Sequence, residues 1–215
     1  MTEPSIKIML ACVSREEGAG VSPFTALNFA QLAGARNLDL HITVCPHDLV
    51  RARSRCAAVA LEGGYSHLLF WDGDVSVKDP ASCVTHMLAR PELDIVHTLY
   101  PKKSKERTWP IVRLDGDQCG PGHLFEIAMC GMGLTLISRE CLQKVWDATP
   151  AFYDEWGGVT REPHATFMLM QIGKELLPED YSFCYRAREL GCRVWCNAAD
   201  VADHFGATLF EGAKP

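Results

Sequence analysis

His67-Leu68-Leu69-Phe70-Trp71-Asp72-Gly73-Asp74-Val75 is an apolar run that stops on two carboxylates separated by one glycine. Apolar residues in succession, without a period of 3.6, read as a strand buried on both faces. Strand ends of open α/β sheets are where ligands bind. Two acids one residue apart at such an end repel unless a cation sits between them or one takes up a proton. Gly73 lets the backbone turn sharply and approach a ligand with no side chain in the way. The pattern points to a divalent-cation site that holds a diphosphate, although an ordinary Asp-Gly turn is spelled with the same letters.

Working outward, residues 6–13 form a first strand that leads into the polar loop Ser14-Arg15-Glu16-Glu17-Gly18-Ala19-Gly20. Pro23 opens a helix to about Ala33, with Phe24, Leu27, Ala30 and Gln31 spaced for one face. Residues 38–45 alternate Leu40, Ile42 and Val44 as a second strand. Asp48 caps a helix over 49–61 that carries Arg51, Arg53 and Arg55 near its start, and Gly63-Gly64 ends it. Beyond the acidic strand, Asp79-Pro80 starts a helix to about Ala89. Residues 93–100 make a fourth strand, followed by the basic loop Pro101-Lys102-Lys103-Ser104-Lys105. The order β-α-β-α-β-α-β argues a parallel, nucleotide-binding type of sheet.

The second half is mixed. Strands over 109–114 and 124–129 flank a turn-rich connection. Gly131-Met132-Gly133 precedes a strand over 134–137, and Glu140 begins a helix to about Trp146. Residues 152–163 read as an irregular, aromatic loop that could touch a ligand. Residues 167–172 and 193–196 read as strands, 179–190 as a helix, and the tail from 203 to 215 as loop. No repeat or linker composition divides the chain. The expectation is one α/β domain over 1–215, with a nucleotide-binding half over about 1–100 and a mixed second half over about 101–215.

Apolar residues at 47% and charged ones at 22% describe an ordinary soluble globular chain. No apolar run reaches the ~18 residues of a membrane span, and no signal-peptide pattern opens the chain. A formal charge of −6 gives no basic footprint for nucleic acid. A substrate phosphate must therefore be met by a metal or by a few local arginines. The ten cysteines are scattered and form no C-x-x-C pair. Cys192 and Cys196 bracket a strand-like Arg-Val-Trp, with no second pair to complete a zinc site. Buried free thiols in a reducing, cytoplasmic setting are expected.

Two Asp-Gly-Asp triplets occur, and they read differently. Asp115-Gly116-Asp117 lies among Gln, Gly and Pro, a hairpin or loop sequence. Asp72 and Asp74 end a buried run. Downstream, Leu177-Pro178-Glu179-Asp180-Tyr181-Ser182-Phe183-Cys184 places two acids at a helix start. There they serve either as caps or as a general base for an incoming hydroxyl. Asp203-His204-Phe205-Gly206 adds an imidazole that is either structural or a further ligand for the carboxylate pair.

Together these residues resemble the glycosyltransferases of the GT-A fold, over about residues 6–212. The apolar strand ending in Asp-x-Asp is matched by Asp72-Gly73-Asp74, and a Gly-x-Gly strand start by Gly131-Met132-Gly133-Leu134. A Glu-Asp helix start is matched by Glu179-Asp180, the return strand by Gly191-Cys192-Arg193-Val194-Trp195, and a late histidine by His204-Phe205-Gly206. The small size resembles compact viral and bacterial GT-A domains, sometimes one module of a longer polypeptide, so that further sequence after Pro215 would be no surprise.

The resemblance implies a Rossmann-like, mostly parallel sheet with a mixed second half. It also implies transfer of a sugar from a nucleotide-diphosphate donor, a UDP-sugar, to a carbohydrate hydroxyl acceptor. Asp74, with His204 and in some arrangements Asp72, would bind Mn²⁺ or Mg²⁺ bridging the two phosphates. Asp72 would face the ribose or donor sugar beside Gly73. Cys12 to Ser14 and the loop ending at Asp48 would flank the base, and one of Arg51, Arg53 or Arg55 could reach the diphosphate, a solvated helix face accounting for the others. Asp180, or else Glu179, would deprotonate the acceptor, which suggests inversion. Lys102 and Lys103 read as plain surface charge, and Tyr153 or Trp156 could stack on a sugar.

Three other readings share features with this one. A phosphatase of the haloacid dehalogenase type also begins strand-Asp-x-Asp, but its strand would come first, and no later Gly-Asp-x-x-x-Asp follows here. A sugar-phosphate nucleotidyltransferase would carry a glycine-rich, basic first loop, whereas residues 14–20 hold one arginine and two acids. A carbohydrate-binding module that kept the fold without turnover is the non-enzyme alternative.

Overall fold

The chain opens with strand–helix units: β1 (Ile8–Ser14) leads to α1 (Pro23–Leu32), β2 (Leu38–Val44) to α2 (Leu49–Glu62), and β3 (His67–Trp71) through a short β4 (Val75–Ser76) to α3 (Pro80–Leu88). The strands β5 (Ile95–Leu99), β6 (Ile111–Arg113), β7 (Leu124–Cys130) and β8 (Leu134–Ser138) follow, then α4 (Arg139–Asp147). The hairpin of β9 (Met170–Ile172) and β10 (Glu175–Leu177) precedes α5 (Glu179–Glu189) and the strands β11 (Val194–Val201), β12 (Asp203–Phe205) and β13 (Leu209–Phe210). This computed structural model describes residues 6–14, 21–33, 38–44, 48–90, 92–104, 106, 108–114, 124–153, 162–206 and 209–210, with the side chains of 14, 40–44 and 209–210 left aside. The loop at 15–20, the second Asp-Gly-Asp triplet and Trp156 lie outside the described residues.

Helix starts follow the side chains that precede them. Ser22, Asp48, Asp79 and Ser138 each accept a first-turn main-chain N–H, which satisfies a donor that has no partner inside its own helix. The main sheet runs β2-β1-β3-β8-β5-β11-β7-β6. β1 is parallel to β2 and β3, and β5 to β11, while β8 is antiparallel to both β3 and β5. The four strands expected to be parallel do share one direction, but β8 is inserted between β3 and β5.

Alternation along the strands builds a core on each face. Met9, Ala11, Leu68, Phe70, Ile95 and Ile137 pack with residues of α2, α4 and α5 on one side. Leu10, Cys12, Leu69, Trp71, Val96 and Leu136 pack with α1 and α3 on the other. Leu68, Leu69, Phe70 and Trp71 are all fully buried, so β3 is apolar throughout because both of its faces are covered.

The structure corrects three local expectations. The apolar stripe assigned to α1 faces outward: Phe24 and Leu27 are exposed, and Thr25, Asn28, Phe29 and Leu32 are buried. The cause is polar. Asn28 donates from Nδ2 to Val77 O and accepts from Val77 N, both at 2.9 Å, and Thr25 Oγ1 donates to Val75 O at 2.8 Å. Main-chain groups next to the short β4 need partners, and α1 supplies them. The strand expected from 167 begins only at Met170, because Phe167 turns inward to stack on Phe183 at 4.5 Å. Part of the tail expected to be loop forms strands: β12 pairs with β4 and with β13.

Candidate active site

The acidic end of β3 is fixed by four main-chain bonds, one of them within the loop. Asp72 N donates to Gly133 O (2.8 Å), Val75 N to Asp72 O (3.1 Å), Ser22 N to Gly73 O (2.6 Å), and Phe205 N to Asp74 O (2.7 Å). The loop is thus held by α1, β8 and β12 together. Gly73 does not have the positive φ that Gly64, Gly173 and Gly191 adopt. A Cβ there would meet Val21 Cα at 3.4 Å and Cys12 Sγ at 3.5 Å, ordinary contact. The expected turn is there, closed by the bond from Val75 N to Asp72 O, but its geometry does not demand a glycine.

The two carboxylates have different surroundings. Asp74 Oδ1 lies 3.5 Å from His204 Nε2, and its Oδ2 accepts a bond from Lys103 Nζ. The antiparallel pairing of β12 with β4 sets His204 opposite Val75. Its Nδ1 lies 2.8 Å from Pro101 O, and that contact holds the ring with Nε2 turned to Asp74. Burial pushes the Asp74 carboxyl up, but the bonds from His204 and Lys103 outweigh it and hold the pKa below the usual carboxylate value. A carboxylate oxygen and an imidazole nitrogen on one side of an accessible loop are a donor set that suits a divalent cation. Among the described residues no group of three or more such side chains forms a closed cage.

Asp72 instead faces Arg53. This guanidinium is 4% exposed, donates from Nη1 to Glu179 Oε1 at 2.7 Å, and places Nη2 3.7 Å from Asp72 Oδ2. Burial pushes its pKa down, but Asp72, Glu179 and Asp180 together raise it, so it stays cationic. Asp180, in the first turn of α5, accepts from Tyr181 N at 2.8 Å. Burial raises its pKa to about 6, against the pull of Arg53 and with a push from Glu179. A carboxyl poised there is ionised near neutrality and basic enough to take a proton.

Tyr100 ties the centre together. Its buried hydroxyl accepts from Gly133 N at 3.0 Å, and its ring stands edge-on to His204 at 5.3 Å. A Cβ on Gly131 or on Gly133 would come within 2.6 Å of that oxygen. The Gly-x-Gly sequence is therefore explained by the close approach of Tyr100.

The remaining expected contacts divide. Cys12 lies behind Gly73 with its thiol 1% exposed, and burial, reinforced by Asp72 and Asp74, raises its pKa to about 12. Asp48 caps α2 through Val50 N and pairs with the exposed Arg51 at 3.4 Å. Arg55 is half-buried. Ser14 ends β1, with its side chain outside the described residues. Arg53 stands among the three candidate arginines, though its pairing with Asp72 and Glu179 was not expected, and the roles of Lys103 and Tyr100 were not foreseen. A cavity of about 570 Å³ lined by Ser66, His67, Asp94, Arg139 and Lys144 lies at the other end of the sheet, where β3 begins and β8 ends, away from all of these acids.

No protein-family model matches this chain, and no curated protein matches it by sequence. Solved structures do match it by shape. A crystal structure of A197 from STIV superimposes with a TM-score of 0.62 at 19% identity, over 97% of this chain and 95% of that one. A crystal structure of GalNAc-T7 with UDP, GalNAc and Mn²⁺ superimposes with a TM-score of 0.54 at 12% identity, over 94% of this chain and 44% of that one. Among the described residues no helix is long and apolar enough to cross a membrane. The strand order, the mixed sheet and these superpositions agree that the chain has the GT-A fold.

Proposed function

We propose that the protein is a glycosyltransferase that moves a sugar from a nucleoside-diphosphate donor, a UDP-sugar, to a carbohydrate hydroxyl, with inversion and with Mn²⁺ or Mg²⁺. The observation that carries this reading is the convergence of two clusters at the end of β3: Asp74 with His204, and Arg53 with Asp72, Glu179 and Asp180. The UDP, GalNAc and Mn²⁺ held by the similarly folded GalNAc-T7 are compatible with it. The chain acts as one domain in this reading, and its buried free thiols suit a reducing, cytoplasmic setting.

Each residue has a defined task. Asp74 and His204 hold the metal, which when bound neutralises charge on the departing diphosphate. Asp72, fixed by Arg53, accepts hydroxyl donors of the ribose or donor sugar. Asp180 takes the proton of the acceptor hydroxyl as that oxygen attacks the anomeric carbon from the face opposite the diphosphate. Glu179 is engaged by Arg53 and keeps the guanidinium beside Asp180.

A plate of nucleotide-sugars, with and without Mn²⁺, read by thermal shift tests the donor class. Stabilisation by UDP-sugars that requires Mn²⁺ is expected. Pyrophosphate release from a nucleoside triphosphate and a sugar phosphate would favour nucleotidyl transfer instead.

A further inference from the structure

The basic loop after β5 does more than carry surface charge. Lys103 Nζ bonds Asp74 Oδ2, while His204 Nε2 faces Oδ1, so both oxygens of this carboxylate are engaged by side chains of the chain itself. The loop beneath Lys103 is tied on both sides. Pro101 O is 2.8 Å from His204 Nδ1, Lys102 N donates to Thr108 O at 2.7 Å, and Ser104 N donates to Lys102 O at 2.8 Å. With the main chain so held, movement of Lys103 falls to its flexible four-carbon stem.

We propose that Lys103 is a resident counter-ion of Asp74 that competes with a divalent cation for this carboxylate. This rests on the reading of Asp74 and His204 as the metal-holding pair. An ammonium on Oδ2 and a divalent ion between Oδ1 and His204 draw on the charge of one carboxylate and repel each other at that distance. His204 stays in place during the exchange because the Pro101 carbonyl fixes its ring. Lys103 thus keeps the Asp74 carboxylate oriented without metal, at the cost of weaker cation binding.

The test is Mn²⁺ binding without nucleotide, by calorimetry or by the electron paramagnetic resonance signal of free Mn²⁺. It compares the wild type, Lys103→Met, Lys102→Met and Asp74→Asn. Lys103→Met keeps the stem and removes the competitor. Because the Lys103–Asp74 pair is partly exposed, roughly two- to fivefold tighter binding is expected. Lys102→Met removes the same charge from the same loop and should bind as the wild type does, while Asp74→Asn should lose the site. Equal or weaker binding by Lys103→Met, with the wild type binding normally, would overturn the competition and leave the metal pair standing. Equal tightening in both lysine variants would reduce the effect to net charge and likewise overturn it. A folded wild type and a folded Lys103→Met that both fail to bind Mn²⁺ would overturn the metal reading together with the inference.

Discussion

Arg53 and Glu179 stand 126 positions apart in the chain and meet through a 2.7 Å bond inside the protein. The same guanidinium reaches toward Asp72, so the end of β3 and the start of α5 are joined by one buried cation. Replacing it with Met removes the cation that these acids share. A loss of about 3–5 kcal/mol in denaturant unfolding is expected for Arg53→Met. Adding Glu179→Gln should restore part of it, and strict additivity of the two substitutions would contradict the coupling.

Asp180 carries a charge that the fold resists. Its pKa is higher folded, at about 6, than the ordinary 3.8 of an unfolded chain, so the native state binds the proton more tightly. Stability from this group is therefore full below about pH 4 and is lost as pH rises through 6. Asp180→Asn should stabilise the protein at pH 7, by on the order of 2 kcal/mol, while lowering turnover by roughly 10²–10⁴. Donor binding should persist. In the wild type the rate should fall below about pH 6. A variant that is stabilised yet fully active would end the assignment of Asp180 as base.

The two glycine positions tested most simply behave in opposite ways. Gly133→Ala drives a methyl to within 2.6 Å of the buried Tyr100 hydroxyl, and a loss of about 1–3 kcal/mol is expected. Gly73→Ala, despite lying between the two acids, should cost less than about 1 kcal/mol, since its φ is ordinary and its neighbours sit at contact distance. Thermal unfolding of the two variants side by side decides this.

How much the sequence revealed follows from how local each cause was. The run 67–71 announced a central strand because its neighbours on both faces are apolar, and runs of that kind need no knowledge of partners. Asp48 and Asp79 marked helix starts through bonds that span two and three residues. Asp74 and His204 do lie together, as the resemblance implied. The α1 face was misread because its docking is set by main-chain groups at Val75 and Val77, about fifty positions away, and not by its own apolar spacing. The partners of Arg53 and Lys103 are illegible for the same reason. Nothing in an arginine on a helix or a lysine in a loop states which distant acid it will meet. The Gly-x-Gly sequence was legible as a pattern but not as a cause, which is the hydroxyl of Tyr100.

The central claim is that Asp74 and Asp180 divide between them the holding of the donor diphosphate and the activation of the acceptor. It is tested most directly by the rate of UDP release from UDP-sugars in Mn²⁺, with a panel of sugar acceptors. The measurement is made on the wild type, Asp74→Ala and Asp180→Asn, alongside UDP affinity for each. The account predicts release by the wild type, loss of both release and Mn²⁺-dependent UDP binding in Asp74→Ala, and loss of release alone in Asp180→Asn. Release at the wild-type rate from Asp74→Ala would contradict it.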